Sequence, residues 1–267
     1  MKRVVLNYLV IAALALSAAF TSCGGGSGSR SSGKIMITTE SKDFWVEIAG
    51  SGVVTVDWGD GTEKVTRTLY ENNTISFSQG YPNATTSFEH DYPNETIRTV
   101  TINGENIKWV YIRRYITSLD VSRCTELIYL KNVGGPLTSL DLSKNTALTV
   151  LILEVHKLTS LDVSKCTALT TLSCEVGELR SLDISKNTAL TQLNCNMNKL
   201  TTLDVSKNTE LKELYCNYNQ LTSSAINALF GTLHSNAGEK TIVLLNNPGV
   251  KDCDRSIAER KGWRVSY

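Results

Sequence analysis

Apolar residues recur along residues 116–220 at a fixed period of 21 residues. Five consecutive units follow one another without an insertion, and they begin at Ile116, Leu137, Leu158, Leu179 and Leu200. A short fixed period is typical of a solenoid, because one coil cannot bury its apolar side without its neighbours. We therefore expect residues 114–220 to form a solenoid of five coils.

Each unit contains two apolar half-turns. In most copies the first reads Leu-x-x-Leu-Asp-(Val/Ile/Leu)-Ser-Lys-(Asn/Cys)-Thr, and the second reads Leu-x-x-Leu-x-Cys-x-x-Asn in its clearest copies. Leu193 and Cys195 stand two positions apart, so both point to one face of a strand. The second half-turn resembles the leucine-rich-repeat signature. The resemblance implies leucine ladders in the core, with Asn or Cys side chains satisfying backbone groups at the turns.

The outward positions of the second half-turn differ from coil to coil. Variation on a regular frame is what a binding face needs, so we expect this face to contact a protein or a glycan. Unconstrained drift of a solvated surface would leave the same variation. The candidate partner-binding residues are Tyr129, Lys131, Val150, Ile152, Glu154, Thr171, Ser173, Glu175, Gln192, Asn194, Asn196, Glu213, Tyr215 and Asn217.

The first half-turn is nearly uniform and repeats an aspartate followed three residues later by a cation. Aspartates about 4.8 Å apart could be bridged by calcium. The turns contain no glycine to present backbone carbonyls, and each carboxylate has a cation nearby, so we expect a ladder of Asp, Ser and Lys that needs no ion. The aspartates are Asp120, Asp141, Asp162, Asp183 and Asp204, and the cations are Arg123, Lys144, Lys165, Lys186 and Lys207.

The repeats contain five of the seven cysteines. We expect Cys174, Cys195 and Cys216 to point inward, where a thiol behaves as a small apolar residue. Cys124 and Cys166 replace turn asparagines two coils apart, a separation of about 10 Å that is too long for a disulfide between them. The spacing lacks a C-x-x-C motif, so no metal site is expected.

Residues 34–113 contain short runs rich in β-branched and aromatic residues, separated by Gly, Asn and Pro. Such runs predict strands, and a segment of about 80 residues built from them predicts a β-sandwich. The predicted strands are residues 34–39, 43–50, 52–58, 74–78 and 97–104.

Residues 56–62 read Val-Asp-Trp-Gly-Asp-Gly-Thr, an Asp-Gly hairpin signal directly after an apolar strand. Together with the later His90-x-Tyr92 and the strand that follows, this motif resembles a PKD-like domain. Asp57, Asp60 and His90 could form a metal or catalytic cluster. Turn capping and strand anchoring require nothing further, and we adopt that interpretation.

Residues 1–22 have the pattern of a secretory signal, with two cations before a mostly apolar stretch. The Phe-Thr-Ser-Cys sequence that ends at Cys23 resembles a bacterial lipobox. A single membrane-spanning helix is the alternative, although the apolar stretch is shorter than about 20 residues. We expect Cys23 to be lipidated and residues 23–33 to form a flexible Gly/Ser tether.

The period is lost after residue 220, and residues 221–267 are expected to form an α/β C-terminal cap that contains Cys253. Terminal units of solenoids are atypical because they must present a polar end to water. The predicted elements are helices at residues 223–235 and 253–262 and strands at 241–245 and 263–265.

The repeats and the Asn-Pro-Gly to Gly-Trp sequence of residues 247–263 resemble the leucine-rich-repeat lipoproteins of Bacteroidetes. The resemblance implies a lipid-anchored adhesion or recognition protein of the bacterial cell envelope, at the outer membrane, on a side that the sequence leaves open. Two alternatives stand beside it. One is a carbohydrate-binding accessory protein with its site on the β-sandwich, and the other is a structural stalk without a ligand.

The formal net charge of +1 gives no electrostatic case for nucleic acid or an anionic membrane as a partner. The three histidines lie in three different segments, and no G-x-S-x-G, H-E-x-x-H, P-loop or EF-hand motif occurs. We therefore expect no enzymatic activity and no cofactor.

Overall fold

The computed structural model describes residues 32–69 and 85–267. Within these ranges it contains fifteen strands and two helices, and the strands form two sheets. The secretory signal, Cys23, most of the tether and the predicted strand at 74–78 lie outside the described residues. Among the described helices, none has the length and apolar character needed to cross a bilayer.

The first sheet has five antiparallel strands in the order β4-β3-β6-β1-β8. Ile35 and Ile37 of β1 and Val100 and Ile102 of β6 are fully buried, as the two-residue period of a strand requires. The strands are β1 (Ser32–Thr39), β3 (Gly52–Asp57), β4 (Val65–Leu69), β6 (Arg98–Glu105) and β8 (Ile116–Asp120).

The second sheet has ten strands in the order β15-β14-β13-β12-β11-β10-β9-β7-β2-β5. The eight strands from β15 to β7 run parallel, and β2 and β5 are antiparallel at one edge. The strands are β2 (Asp43–Gly50), β5 (Thr86–Asp91), β7 (Ile107–Ile112), β9 (Tyr129–Val133), β10 (Val150–Glu154), β11 (Thr171–Glu175), β12 (Gln192–Asn194), β13 (Glu213–Tyr215), β14 (Lys240–Val243) and β15 (Trp263–Ser266).

The expected boundary between residues 113 and 114 lies between β7 and β8, two strands that belong to different sheets. Strand β7, before the boundary, pairs in parallel with β9 of the repeats. Strand β8, after the boundary, pairs antiparallel with β1. A single cluster of buried apolar residues extends from Ile35 to Trp263. The N-terminal strands and the repeats therefore share one core.

The repeats form the leucine-rich-repeat-like β-solenoid that their 21-residue period predicts. Equivalent leucines of neighbouring coils lie side by side and are fully buried. Cys174, Cys195 and Cys216 are also fully buried, so the prediction that they point inward is confirmed. Burial raises the pKa of the Cys216 thiol well above its usual range. All six cysteines in the described part of the chain are free.

Turn side chains join successive coils of the first half-turn. The Nδ2 amide of Asn187 donates to the carbonyl oxygens of Val163 and Cys166, at 2.9 and 2.8 Å. Asn145 and Asn208 make equivalent pairs of bonds. The Sγ atom of Cys166 contacts a single carbonyl oxygen, that of Leu142, at 3.8 Å. Asn and Cys therefore satisfy backbone groups at the turns, as predicted.

Beyond the repeats, β14 and β15 extend the parallel sheet and two helices pack beside them. Helix α1 (Ser223–Thr232) begins after Thr222, whose Oγ1 accepts the N–H of Ala225 at 3.3 Å. Helix α2 (Ser256–Glu259) is shorter than the predicted helix at 253–262. Just before this helix, the Asp254 carboxylate accepts the N–H of Ser256 at 3.0 Å.

Candidate functional site

The outer sheet face is the face of the ten-stranded sheet that lies opposite the core. Its side chains stand in columns that cross the strands in register, one residue per coil. All of the sequence-predicted binding residues lie in these columns. The first column contains Trp109, Tyr129, Val150, Thr171, Gln192 and Glu213; the second contains Tyr111, Lys131, Ile152, Ser173, Asn194 and Tyr215; the third contains Val133, Glu154, Glu175, Asn196 and Asn217.

The predicted residues are less exposed than the sequence suggests. Ten of the fourteen are half-buried. Tyr129, Ser173, Asn194 and Asn217 are 2, 9, 4 and 7 % exposed. Neighbouring strands of a sheet lie only about 4.8 Å apart, so larger neighbours cover these side chains. A partner would therefore meet mainly the other ten.

A row of amides on this face binds the coils to one another. Asn194 Oδ1 accepts the N–H of Asn196 at 3.1 Å, and Asn194 Nδ2 donates to the Glu175 carboxylate at 3.0 Å. Asn196 Oδ1 accepts the N–H of Asn217 at 2.7 Å. Asn217 Oδ1 accepts the N–H of Leu245 at 2.7 Å. These asparagines thus fix the strand ends, and only their remaining polar atoms are available to a ligand.

Charged side chains cluster on the same face beside the amide row. Lys131 Nζ lies 3.3 Å from Glu154 Oε1 and 5.1 Å from the centre of the Tyr111 ring. Glu175 is the next residue of the third column. Burial raises the pKa of the Glu175 carboxyl, and the hydrogen bond from Asn194 opposes this shift. This part of the face therefore combines one cation with two carboxylates in adjacent coils.

An aromatic cluster lies at the N-terminal end of the face. The rings of Trp109 and Tyr129 stack 4.9 Å apart, and Trp45 meets Tyr111 edge to face at 5.3 Å. These side chains form an apolar group separate from the main core. Among them, only Tyr129 is predicted from the sequence. The alternation of residues 107–112 places Trp109 and Tyr111 on one side of a strand, but not beside the repeats.

The WGDGT segment is a hydrogen-bonded turn. Asp57 Oδ1 accepts the N–H of Gly59 at 3.0 Å, and Asp60 Oδ1 accepts the N–H of Thr62 at 3.0 Å. His90 Nε2 lies 2.7 Å from Asp60 Oδ2. Hydrogen bonds from Thr62, and then from His90, hold the pKa of Asp60 well below its usual range. The geometry supports the turn-capping interpretation of Asp57, Asp60 and His90.

The aspartates of the first half-turn also accept backbone hydrogen bonds. Asp162 Oδ1 accepts the N–H of Ser164 at 2.9 Å, and this bond holds the pKa of Asp162 below its usual value. The same bond recurs at 2.8 to 2.9 Å in the other four coils, at Asp120, Asp141, Asp183 and Asp204. The carboxylates therefore stabilise the turns directly.

The in-register coils and the varied outer sheet face define the chain as a leucine-rich-repeat-like β-solenoid. No protein-family model and no curated protein matches the chain. Among solved structures, the functional domain of InlJ from Listeria monocytogenes, described as including a cysteine ladder, is 26% identical with a TM-score of 0.42, over 62% of this chain and 41% of that chain. The internalin InlF from Listeria monocytogenes strain 4b F2365 is 23% identical with a TM-score of 0.37, over 51% of this chain and 40% of that chain. The matched part of the chain therefore spans about two fifths of the length of each of these two structures.

Proposed function

We propose that this chain is a non-enzymatic recognition protein that binds a protein or glycan partner through its outer sheet face. The observation that supports this proposal is the register of the face. Its columns run across parallel strands in a fixed frame, while the side chain in each column changes from coil to coil. A rigid frame with variable side chains is suited to specific binding, because ordering the site costs little conformational entropy.

The two ends of the face differ in chemistry. Near β9 and β10 the half-buried side chains of Val150 and Ile152 pack beside the aromatic cluster. Near β12 and β13 the half-buried side chains are polar or amphipathic, as in Gln192, Glu213 and Tyr215. A matching partner would present an apolar group at the first end and hydrogen-bonding groups at the second.

The proposed setting is the bacterial cell envelope. In this proposal Cys23 carries the lipid anchor at the outer membrane, and residues 23–33 separate the folded part from the bilayer. Residues 34–113 are the PKD-like β-sandwich, and the hydrogen-bonded turn at Asp57 and Asp60 supports this assignment. Residues 221–267 close the solenoid as its C-terminal cap.

The full chain, applied to glycan and host-protein arrays, tests the proposed function and supplies a ligand. Replacing Ile152 and Tyr215 by alanine should then weaken binding about tenfold or more, because aliphatic and aromatic anchors dominate interfaces. Replacing Lys165 and Lys186, which are exposed on the first half-turn, should leave binding unchanged. Equal losses in both pairs would contradict a site on the outer sheet face.

A second candidate is a carbohydrate site on the N-terminal strands. It is supported by half-buried Trp45, whose indole N–H donates to Glu89 at 3.1 Å and whose ring meets Tyr111. Aromatic rings on a sheet surface can pack against sugar rings. Loss of glycan binding in Trp45→Ala, with normal binding by the Ile152 and Tyr215 variant, would favour this candidate. No ligand on any array would favour a structural stalk.

A further inference from the structure

Four exposed apolar side chains stand in consecutive coils beside the outer sheet face. Val155, Val176, Met197 and Tyr218 are 50, 38, 41 and 43 % exposed. Their backbone N–H groups donate to carbonyl oxygens of the next coil at 3.1, 3.1, 2.8 and 2.7 Å. Strands joined in this way lie about 4.8 Å apart. The four side chains therefore form one continuous row, which we call the apolar ridge.

The backbone of the apolar ridge is left-handed. The φ angles of Val155 and Val176 are 60° and 58°, and a β-branched residue in this region is strained. The equivalent positions at the two ends of the row hold Gly134, with φ 96°, and Asn246, with φ 57°, which are residue types that tolerate this conformation. The chain thus keeps strained valines at positions where Gly or Asn would be relaxed, and leaves them exposed. Strain and apolar exposure at the same positions point to a contact outside the monomer.

We propose that the apolar ridge is the contact surface for a second copy of this chain, packed ridge against ridge in antiparallel directions. A two-fold axis between Val176 and Met197 sets Val176 against the partner's Met197. The same axis sets Val155 against the partner's Tyr218. An interface of this kind is self-complementary, because each contact occurs twice.

Two polar rows border the apolar ridge and carry different charge patterns. Glu178 and Lys199 already form an ion pair within one chain, at 3.0 Å. The inner row, on the sheet side, contains Glu154, Glu175, Asn196 and Asn217, and the outer row contains Lys157, Glu178, Lys199 and Gln220.

The charge pattern is complementary to itself in the proposed register. Glu178 faces the partner's Lys199, and Lys157 faces the partner's Gln220. On the sheet side, Glu175 faces the partner's Asn196. In the same way, Glu154 faces the partner's Asn217. No like charges meet, so the two bordering rows favour this contact.

Other arrangements bring like charges together. Moving the axis onto Val176 would set Glu178 against the partner's Glu178. Running the two ridges in parallel would set Glu175 against the partner's Glu178, and this repulsion would offset the attraction between Glu154 and the partner's Lys157. Like charges directly opposed at an interface disfavour the complex. The charge pattern therefore favours the antiparallel direction and the proposed register over these two arrangements.

The interface should give a weak complex. A single row of four residues is smaller than the about 800 Å² per partner found in stable complexes. We expect the full chain carrying Cys23→Ser to show a monomer–dimer equilibrium by analytical ultracentrifugation, in a series that reaches about 1 mM. A chain that remains monomeric across the series would overturn the proposal.

Substitutions that relieve the strained backbone of the apolar ridge should weaken dimer formation without lowering the stability of the fold. The Val176→Asn, Met197→Asn variant supplies the residue type that Asn246 holds natively, so the melting temperature should stay the same or rise. Its dimer dissociation constant should rise about tenfold or more, because the central apolar contact is lost. The control is Val53→Thr, which replaces an exposed valine, 51 % exposed, on the other sheet. Equal weakening by the control would count against the ridge.

Charge exchange tests the register itself. In Glu178→Lys two cations oppose each other across the interface, and in Lys199→Glu two carboxylates do so. Each variant alone should therefore dissociate, by about tenfold or more. Mixing the two variants joins opposite charges at both contacts, so a heterodimer of nearly wild-type affinity should form. A mixture that stays monomeric would overturn the proposed register. Both experiments measure self-association and change no residue in the columns of the outer sheet face, so their outcome is separate from that of the partner-binding test.

Discussion

The imidazole of His156 occupies the space that a side chain at Gly177 would need. A Cβ atom placed on Gly177 would lie 2.1 Å from His156 Cε1. In the following coils the same position holds Asn198 and Asn219, whose amides bond to carbonyl oxygens of the neighbouring strands. His156 Nδ1 instead accepts the N–H of Leu158 at 3.1 Å. The His156 side chain thus fills the space that two asparagine side chains take up in the following coils.

This pairing predicts a compensated double substitution. Gly177→Ala alone should destabilise the fold by about 1–3 kcal/mol, because the imidazole has no room to move into the packed core. Replacing both His156 and Gly177 by asparagine should recover most of that loss, because the hydrogen bonds that Asn198 and Asn219 make in the following coils would then form here too. Urea denaturation measures both. Gly231→Ala is the control, since its added Cβ meets open space in α1 and should be neutral or stabilising. A double variant less stable than Gly177→Ala would contradict the exchange.

Burial of His156 predicts acid sensitivity. Desolvation lowers the pKa of the imidazole below its usual value, so the folded chain binds fewer protons than the unfolded chain. The stability contribution is therefore complete above the unfolded pKa of about 6.5 and is lost as the pH falls below it. Between about pH 7.5 and about pH 5.5, a range that brackets the unfolded pKa, the melting temperature of the wild type should fall more than the melting temperature of His156→Asn. Parallel decreases in the two proteins would exclude His156 as the cause.

The aspartate ladder should respond to acid at lower pH. The backbone bond from Ser164 lowers the pKa of Asp162. The stabilisation is therefore present above the unfolded pKa of about 3.9 and is lost as the pH falls through the lower folded value. Asp162→Ala should lower the urea midpoint at neutral pH, whereas Asp162→Asn, which retains an acceptor oxygen, should lower it less. Identical midpoints would show that the bond does not contribute.

Calcium should leave the same ladder unaffected. Each carboxylate already accepts a backbone N–H, and the turns contain no glycine to present backbone carbonyls to an ion. The melting temperature should be the same with calcium and with a chelator. A site saturated at 100 times its dissociation constant would add about 2.7 kcal/mol, which is visible as a shift of several degrees. Such a shift, abolished by Asp162→Asn, would establish a calcium site.

The proposed lipidation of Cys23 predicts that the protein changes location when this cysteine is removed. Cys23→Ser should release the protein into the soluble fraction of the cell envelope with an unchanged fold, since the residue precedes β1, the first strand that the structure describes. Fractionation and circular dichroism together measure both properties. A variant extracted only by detergent would contradict the lipid anchor.

The 21-residue period of the repeats predicts those features that depend only on the place of a residue within its own coil. The burial of Cys195 and the turn bonds of Asn187 both follow from their places in the unit. The stacking of Trp109 on Tyr129 does not, because β8 intervenes in the sequence and joins the other sheet. The left-handed backbone at Val155 was also beyond prediction, since valine disfavours that conformation and the surrounding ladder imposes it.

The position of β1 has a mechanical consequence for a protein anchored at one end. This first described strand is paired along both edges, with β6 on one side and β8 on the other. A pulling force applied at Ser32 along β1 loads the bonds to β6 over the whole strand and the bonds to β8 from Met36 to Thr39. Tension from the proposed anchor at Cys23 would therefore pass through two neighbouring strands into the shared core.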